Sequence, residues 1–414
     1  MIFDFLKSFK MLNYIICNYL FKKNLYSKKM LINSKTDSLT KKMKNLNTKI
    51  IFKNKDDYYN DNTRNLDNLL YKYINYDISL DINDYNFLNN EHINNEFISD
   101  RIKLLKHNKI LLDKLIKFPY IEQCTDKWYE IRKTCLTASD LGEALSKNNN
   151  LLAKKKAGVY IDNTNFQSIA PLKWGNMFED MAIRCYKQIN NNIPVHIFGI
   201  IQNKNIEHFG ASPDGITDLG IMVEIKCPFS RQIKKDFIPE KYYYQMQGQL
   251  AVCNLTECDY VECEFKIFDD DNQYYDFIKE KKYDNKNFGI IAEYYDNSIQ
   301  KYFYLYSNEY LNKEDCIIDI ENQIKNTTNS NLQFIKLSRW VLNNIYIQKV
   351  EFNNELWETI PPKINEFWEK VEKFKDLPIE YKETKKKNKI YRRFIKLLFP
   401  LKCSISFLYL HKFK

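Results

Sequence analysis

The sequence predicts an α/β fold: a central mixed β-sheet flanked by helices, with a helical extension at each end. Three observations predict it. From Phe118 to about Phe374, short apolar runs bounded by Gly and Pro alternate with stretches whose apolar residues recur at helical spacing. The run Ile221–Ile225 is apolar and β-branched in character and follows a turn cluster of Pro213, Gly215 and Gly220, as a strand pair joined by a tight turn does. Hydrophobic residues fill 44% of the 414 positions and aromatics 15%, enough for a large core, while 9 Gly and 10 Pro exclude a collagen-like or Pro/Gly-rich chain.

Three parts are expected: residues 1–117, a polar and partly helical extension; residues 118–376, the folded body; residues 377–414, a basic aromatic tail. In the first part, residues 1–21 are apolar but broken by Asp4, Lys7 and Lys10, too charged for a membrane span and without a small-residue cleavage site. A helix lying in a membrane interface fits the same residues. The patches NLDNLLYKYI and FISDRIKLLKHNKILLDKLI have helical spacing, and no chemistry is readable in them. The tail could touch nucleic-acid backbone or a membrane surface; a surface-packed helix and strand explain it equally simply. A net charge of +10, from 63 Lys plus Arg against 53 Asp plus Glu, is compatible with a polyanionic partner without proving one. Ten scattered Cys lack the spacing of a secreted disulfide scaffold, so an intracellular, unsecreted protein with reduced thiols is expected.

Within the body, DKWYEIRKTCLTASDLGEAL (126–145) places Arg132 one helical turn after Trp128. Thr137 or Ser139 should cap a helix that starts at Asp140, and Arg132 beside that start makes a phosphate pocket, although a capped helix with a surface arginine fits as well. KWGNMFEDMAIRCYKQI (173–189) reads as a helix with an apolar stripe at Met177, Phe178, Met181, Ala182, Cys185 and Ile189. Glu179 borders that stripe, where a carboxylate is costly unless paired or metal-bound.

GASPDGITDLGIMVEIKCP (210–228) is the sharpest segment. Strand alternation points Glu224 and Lys226 to one face, and Val223 and Ile225 to the other, into the core. Asp214, at the mouth of the turn, can approach Glu224 across the pair. Two such carboxylates repel unless a cation lies between them, and Mg²⁺ or Mn²⁺ takes oxygen ligands of this kind. Lys226 would then orient or help deprotonate a water. An ordinary surface hairpin in which Lys226 pairs with Asp214 or Glu224 fits the same short spacing. PEKYYYQMQGQLAVCNL (239–255) is helical, with Tyr243, Met246 and Leu250 inward and Tyr242, Gln245 and Gln249 sharing another face.

Taken in order, Trp128-x3-Arg132-x4-LTASD, Gly175-x3-Glu179, SPDG, EIKCP and YYYQMQGQL resemble the phage lambda-type exonucleases, or YqaJ-like viral recombinase nucleases, of the PD-(D/E)xK superfamily. The motifs span residues 122–268, and a weaker similarity continues to the Phe-Trp of FWEKV (367–371). The resemblance implies a restriction-endonuclease-like core and a Mg²⁺- or Mn²⁺-dependent deoxyribonuclease working with two ions. It assigns Asp214, Glu224, Glu179 and the Ile225 carbonyl to metal binding, and Lys226 to activating the attacking water. Gln245 completes the catalytic group, while Arg132, Ser139, Ser212 and Tyr242 hold the 5′-phosphate of a DNA end. Implied partners are double-stranded DNA ends, digested 5′ to 3′, and a single-strand annealing protein that receives the overhang. Phage relatives form a trimeric homo-oligomer. A structure-specific or nicking endonuclease on the same core, or a non-catalytic DNA-binding homologue, remains an alternative.

Another branch of the superfamily carries an iron–sulfur cluster on one upstream and three downstream cysteines. Cys124, Cys253, Cys258 and Cys263 depart from its tight spacing, and Gln249 stands where that branch has Tyr. Cys263 alternates with Val261 and Phe265 on an expected strand, so buried free thiols are expected instead of a cluster.

Overall fold

The computed structural model describes residues 66–71, 74, 95–123, 125–162, 169–280, 287–307, 313–327 and 331–382. The expected interfacial segment 1–21, Cys124 and the tail from residue 383 onward lie outside them. Residues 66–71 are helical, and the elements then run α1 (Asn95–Lys117), α2 (Asp126–Thr134), β1 (Leu136–Thr137), α3 (Ala138–Ala144), α4 (Asn150–Lys156), β2 (Tyr160–Ile161) and α5 (Ala170–Ile189). Next come β3 (Val195–His196), β4 (Ile201–Gln202), β5 (Phe209–Ala211), β6 (Gly215–Thr217), β7 (Met222–Lys226), α6 (Glu240–Cys253) and β8 (Glu257–Phe268). The chain continues through α7 (Asp271–Glu280), β9 (Phe288–Asp296), β10 (Lys301–Tyr306), α8 (Lys313–Lys325), β11 (Leu332–Glu351), α9 (Asn354–Glu358), α10 (Ile360–Phe374) and β12 (Glu380–Tyr381).

The mixed α/β architecture matches the expectation. A seven-stranded sheet has the order β10-β9-β11-β8-β7-β6-β3, and β7 and β8 are its parallel neighbours. Parallel neighbours need a crossover, and α6 supplies it. That connection lays the glutamine-bearing helix back across β7, so topology alone brings Gln245 and Gln249 over Glu224. On one face α5 packs Met177, Phe178, Met181 and Cys185 against Val223, Ile225, Val261 and Cys263. Phe178 stacks on Phe265 with ring centroids 4.4 Å apart. On the other face Leu111, Leu112, Met246 and Leu250 cover Met222, Cys258 and Tyr260. A third core joins α3 and α10 to Leu136 and Phe209, with Phe367 buried and Trp368 partly buried.

Two expectations are corrected. Glu224 itself is 0% exposed beneath α6, while Lys226 on the same face keeps partial exposure. Lys226 does pair with Glu224, but Glu224 lies inside the fold and not on a surface hairpin. The helix expected to start at Asp140 starts at Ala138 instead, and its N-cap residue Thr137 makes no side-chain cap bond. The Thr137 hydroxyl is engaged by Ser139 at 2.9 Å and donates to Asp140 Oδ2 at 3.1 Å. Glu380–Tyr381, within the stretch expected as tail, pairs in parallel with Tyr160–Ile161.

The turn from β6 to β7 depends on Gly220, whose φ is +74°. A Cβ there would sit 2.5 Å from the Asn108 carbonyl oxygen of α1. Left-handed strain and overpacking against a helix backbone add up, so Gly220→Ala is expected to destabilise the fold by about 2–4 kcal/mol. Chemical denaturation of the variant beside the wild type checks this; an unchanged midpoint would show that α1 yields freely.

Candidate active site

The hairpin β6–β7 sets the acidic residues. Gly215 stands opposite Val223, and Asp214, one residue before β6, turns its Oδ2 to the Ile225 N–H at 2.7 Å. Glu224 lies mid-strand beneath α6. Its Oε1 accepts from Gln245 Nε2 at 2.6 Å and from the Lys226 ammonium, and its Oε2 accepts from Gln249 Nε2 at 2.7 Å. A buried carboxylate without such donors costs several kcal/mol, so this triple donation is what lets the charge sit inside the fold.

Burial raises the Asp214 carboxyl well above the usual carboxylate range, and the charges of Glu224 and Glu179 push it further; Lys226 and the Ile225 N–H offset only part of this. Burial raises Glu179 too, with Lys226 opposing and the carboxylates of Asp180 and Glu224 reinforcing. Three carboxyl groups from α5 and the hairpin therefore feel one another. For Lys226 burial acts downward, but Glu224 and Asp214 outweigh it and hold the ammonium protonated beyond the ordinary lysine range. As a charged donor Lys226 can orient a water or stabilise negative charge; it is no base in this state.

Tyr242 lies beside this group, its ring 5.0 Å from Lys226 Nζ. Arg132, Ser139 and Ser212 stand on the segments that flank the β1–β5 pair, in which Thr137 is opposite Gly210. The Arg132 guanidinium stacks on Trp128 at 4.4 Å, and Trp128 Nε1 donates to Ser212 Oγ at 3.4 Å. The N–H groups of Arg132 donate to no described residue, which leaves them available to an anion.

Two contributors were missed as site residues. Gln249, 1% exposed, holds the second oxygen of Glu224; its i+4 spacing from Gln245 on one helix face was the available signal. Glu262 stands opposite Lys226 in the parallel register and binds Arg231, with Tyr260 OH donating to it at 2.5 Å. No local pattern marks its place beside Lys226 and Arg231, which the parallel pairing of β7 and β8 creates.

Among the described residues, no three His, Cys, Asp or Glu side chains converge as a ready-made metal site. The donors of Glu224 presently belong to Lys226 and the two glutamines. Even so, an oxygen-only set of mutually repelling carboxyls has the chemistry that suits a hard divalent cation. The cysteines do not form such a set. Cys258 and Cys263 lie in cores on opposite faces of the sheet, and both are buried free thiols. Among the described residues, no helix is long and apolar enough to cross a membrane.

Residues 127–259 match the family model of the YqaJ-like viral recombinase domain. The chain is similar to the uncharacterized protein R354 of Acanthamoeba polyphaga mimivirus, 26% identical over 306 residues, which covers 63% of this chain and 54% of that protein. It is also similar to a protein of African swine fever virus (strain Badajoz 1971 Vero-adapted), 28% identical over 183 residues, covering 35% of this chain and 51% of the relative. The chain thus spans about half the length of the curated relatives it matches. Similar solved structures are the alkaline exonuclease LHK-Exo of Laribacter hongkongensis (TM-score 0.37, 19% identity, 66% of this chain and 100% of that one) and a phage related exonuclease from Haemophilus somnus 129PT (TM-score 0.30, 12% identity, 58% and 93%).

Proposed function

We propose that the protein, whose residues 127–259 match the family model of the YqaJ-like viral recombinase domain, is a divalent-metal-dependent exonuclease acting on the ends of duplex DNA, 5′ to 3′, in viral recombination, repair or genome processing. The observation that carries this reading is the buried Glu224, held by Lys226, Gln245 and Gln249 next to two carboxyls that repel it. Asp214, Glu224, Glu179 and the Ile225 carbonyl are the residues that would hold Mg²⁺ or Mn²⁺. When bound, such ions supply Lewis acidity, which acidifies the attacking water and neutralises charge on the scissile phosphate. Lys226 orients that water from its fixed place beside Glu224, and Gln245 keeps the carboxylate aimed. Arg132, Ser139 and Ser212 receive the 5′-phosphate, with Tyr242 serving the same end from its place beside Lys226. The 3′ overhang left behind is the substrate class of a single-strand annealing protein. The two viral relatives fit a viral replication site inside a host cell.

The test is digestion of a linear duplex beside a closed circle, with Mg²⁺ or with chelator, and of 5′-phosphorylated against 5′-hydroxyl ends. The linear form should disappear, the circle persist, and chelator stop the reaction. Arg132→Ala should lose about 1.5–3 kcal/mol of preference for the phosphorylated end, the worth of a charge-assisted hydrogen bond. A nicked circle would argue for an endonuclease, and inertness toward all three substrates would defeat the reading.

A further inference from the structure

The phosphate pocket assigned above stands on two short elements, α2 and α3, that meet at residues 132–140. Something must fix that junction. The last carbonyls of a helix have no intrahelical partner, and here one of them and the carbonyl of the C-cap residue Cys135 are claimed by one side chain from α4. Lys156 Nζ donates to the Arg132 carbonyl at 2.8 Å and to the Cys135 carbonyl at 2.9 Å. It also pairs with Asp140 Oδ2 at 3.3 Å, and its side chain is only 9% exposed. The first two partners lie at the end of α2 and the third in the first turn of α3.

Two of its three donors are spent on these carbonyls, and the ion pair with Asp140 holds the charge at the same spot. Lys156 is thus committed to the junction, and its charge is matched locally by Asp140. Arg132 is the opposite case: its backbone is pinned while its guanidinium rests on Trp128 with its N–H groups open. Ser139 lies within the span that Lys156 clamps. Ser212 follows β5, to which β1 is paired inside the same span.

We propose that Lys156 is the positioning residue of the 5′-phosphate pocket, setting the distance between Arg132 and Ser139 without touching the phosphate. This rests on the reading of Arg132, Ser139 and Ser212 as that pocket. A misplacement of about 1 Å in such a group is enough to cost up to two orders of magnitude.

The experiment compares wild type, Lys156→Met, Lys156→Arg, Arg132→Ala and, as control, the exposed neighbour Lys155→Met. Each is assayed on linear duplexes with 5′-phosphate or 5′-hydroxyl ends, and the same ends are titrated by fluorescence anisotropy without metal. Lys156→Met should raise KM for phosphorylated ends about tenfold or more, with kcat within about threefold, and bring the phosphate preference down towards that of Arg132→Ala. Lys155→Met should match wild type. If Lys156→Met fails to fold by circular dichroism, Lys156→Arg carries the test, since a planar fork cannot aim one nitrogen at all three acceptors, and its KM should rise as well. Unchanged preference in the folded variant, with Arg132→Ala still losing it, overturns the inference and leaves the pocket standing. An equal fall on both kinds of end reduces Lys156 to a general structural role and also overturns it. If neither wild type nor Arg132→Ala distinguishes the two ends by turnover or by anisotropy, the pocket itself is wrong and the inference goes with it.

Discussion

Lys226→Ala is expected to cut hydrolysis of linear duplex DNA by about 10²–10⁴-fold, the range for a positioned acid–base or electrostatic group. The geometry explains why the loss should appear in catalysis before folding. Glu224 keeps Gln245 and Gln249 as donors when the ammonium is gone, so its buried charge stays partly compensated. What disappears is the cation facing Asp214 and Glu224, and with it the group that holds the water. Asp214→Asn and Glu224→Gln should be comparably inactive while DNA binding, read by electrophoretic shift, stays largely intact. Turnover by Lys226→Ala within tenfold of wild type would remove the assigned chemistry.

The second large effect is on stability and concerns a different set of charges, centred on Arg101. Arg101 donates to Asp67 at 2.6 and 2.6 Å and to Glu257 at 2.8 and 2.7 Å, all three side chains being buried. Lys349 adds contacts to Asp67, Glu257 and Asp259 at 3.7, 3.3 and 3.6 Å. Removing one member of a buried ion pair strands the others, so Arg101→Leu should cost about 3–5 kcal/mol. A lowering of Tm by roughly 5–10 °C follows. Burial pushes the Glu257 carboxyl up, but Lys349 and Arg101 outweigh it and hold it down at about 2. Its folded value thus lies below the ordinary carboxylate value, so this contribution is present above about pH 4.3 and is lost as pH falls toward 2. Thermal melts from pH 6 to 2.5 should show that acid dependence in wild type and a shallower one in Arg101→Leu. Identical melting of the two proteins would mean that the network is not what docks the 66–71 helix and α1 onto β8.

Several features were legible in order along the chain. The apolar stripe of α5, the β-branched run of β7 and the crossover helix α6 are periodic signals, and each formed within a few residues of its expected limits. The grouping of Asp214, Glu224 and Lys226 was legible for the same reason: a hairpin is local, so spacing already implies proximity. Gln249 was half-legible. Its helix face was evident, but its bond to Glu224 depends on how far α6 swings back over the sheet.

Local pattern settled the strands, the helices and the acidic hairpin, because periods of 2 and 3.6 residues and tight turns act over a few positions. Long-range packing settled the rest. It buried Glu224 on a face that alternation left polar, set Lys156 under the junction of two helices, and joined Arg101 to Glu257 across 156 positions. No sequence window contains such pairs. Their energies come from excluding water around groups that only the folded chain brings together, so solvent exclusion, not spacing, chose them.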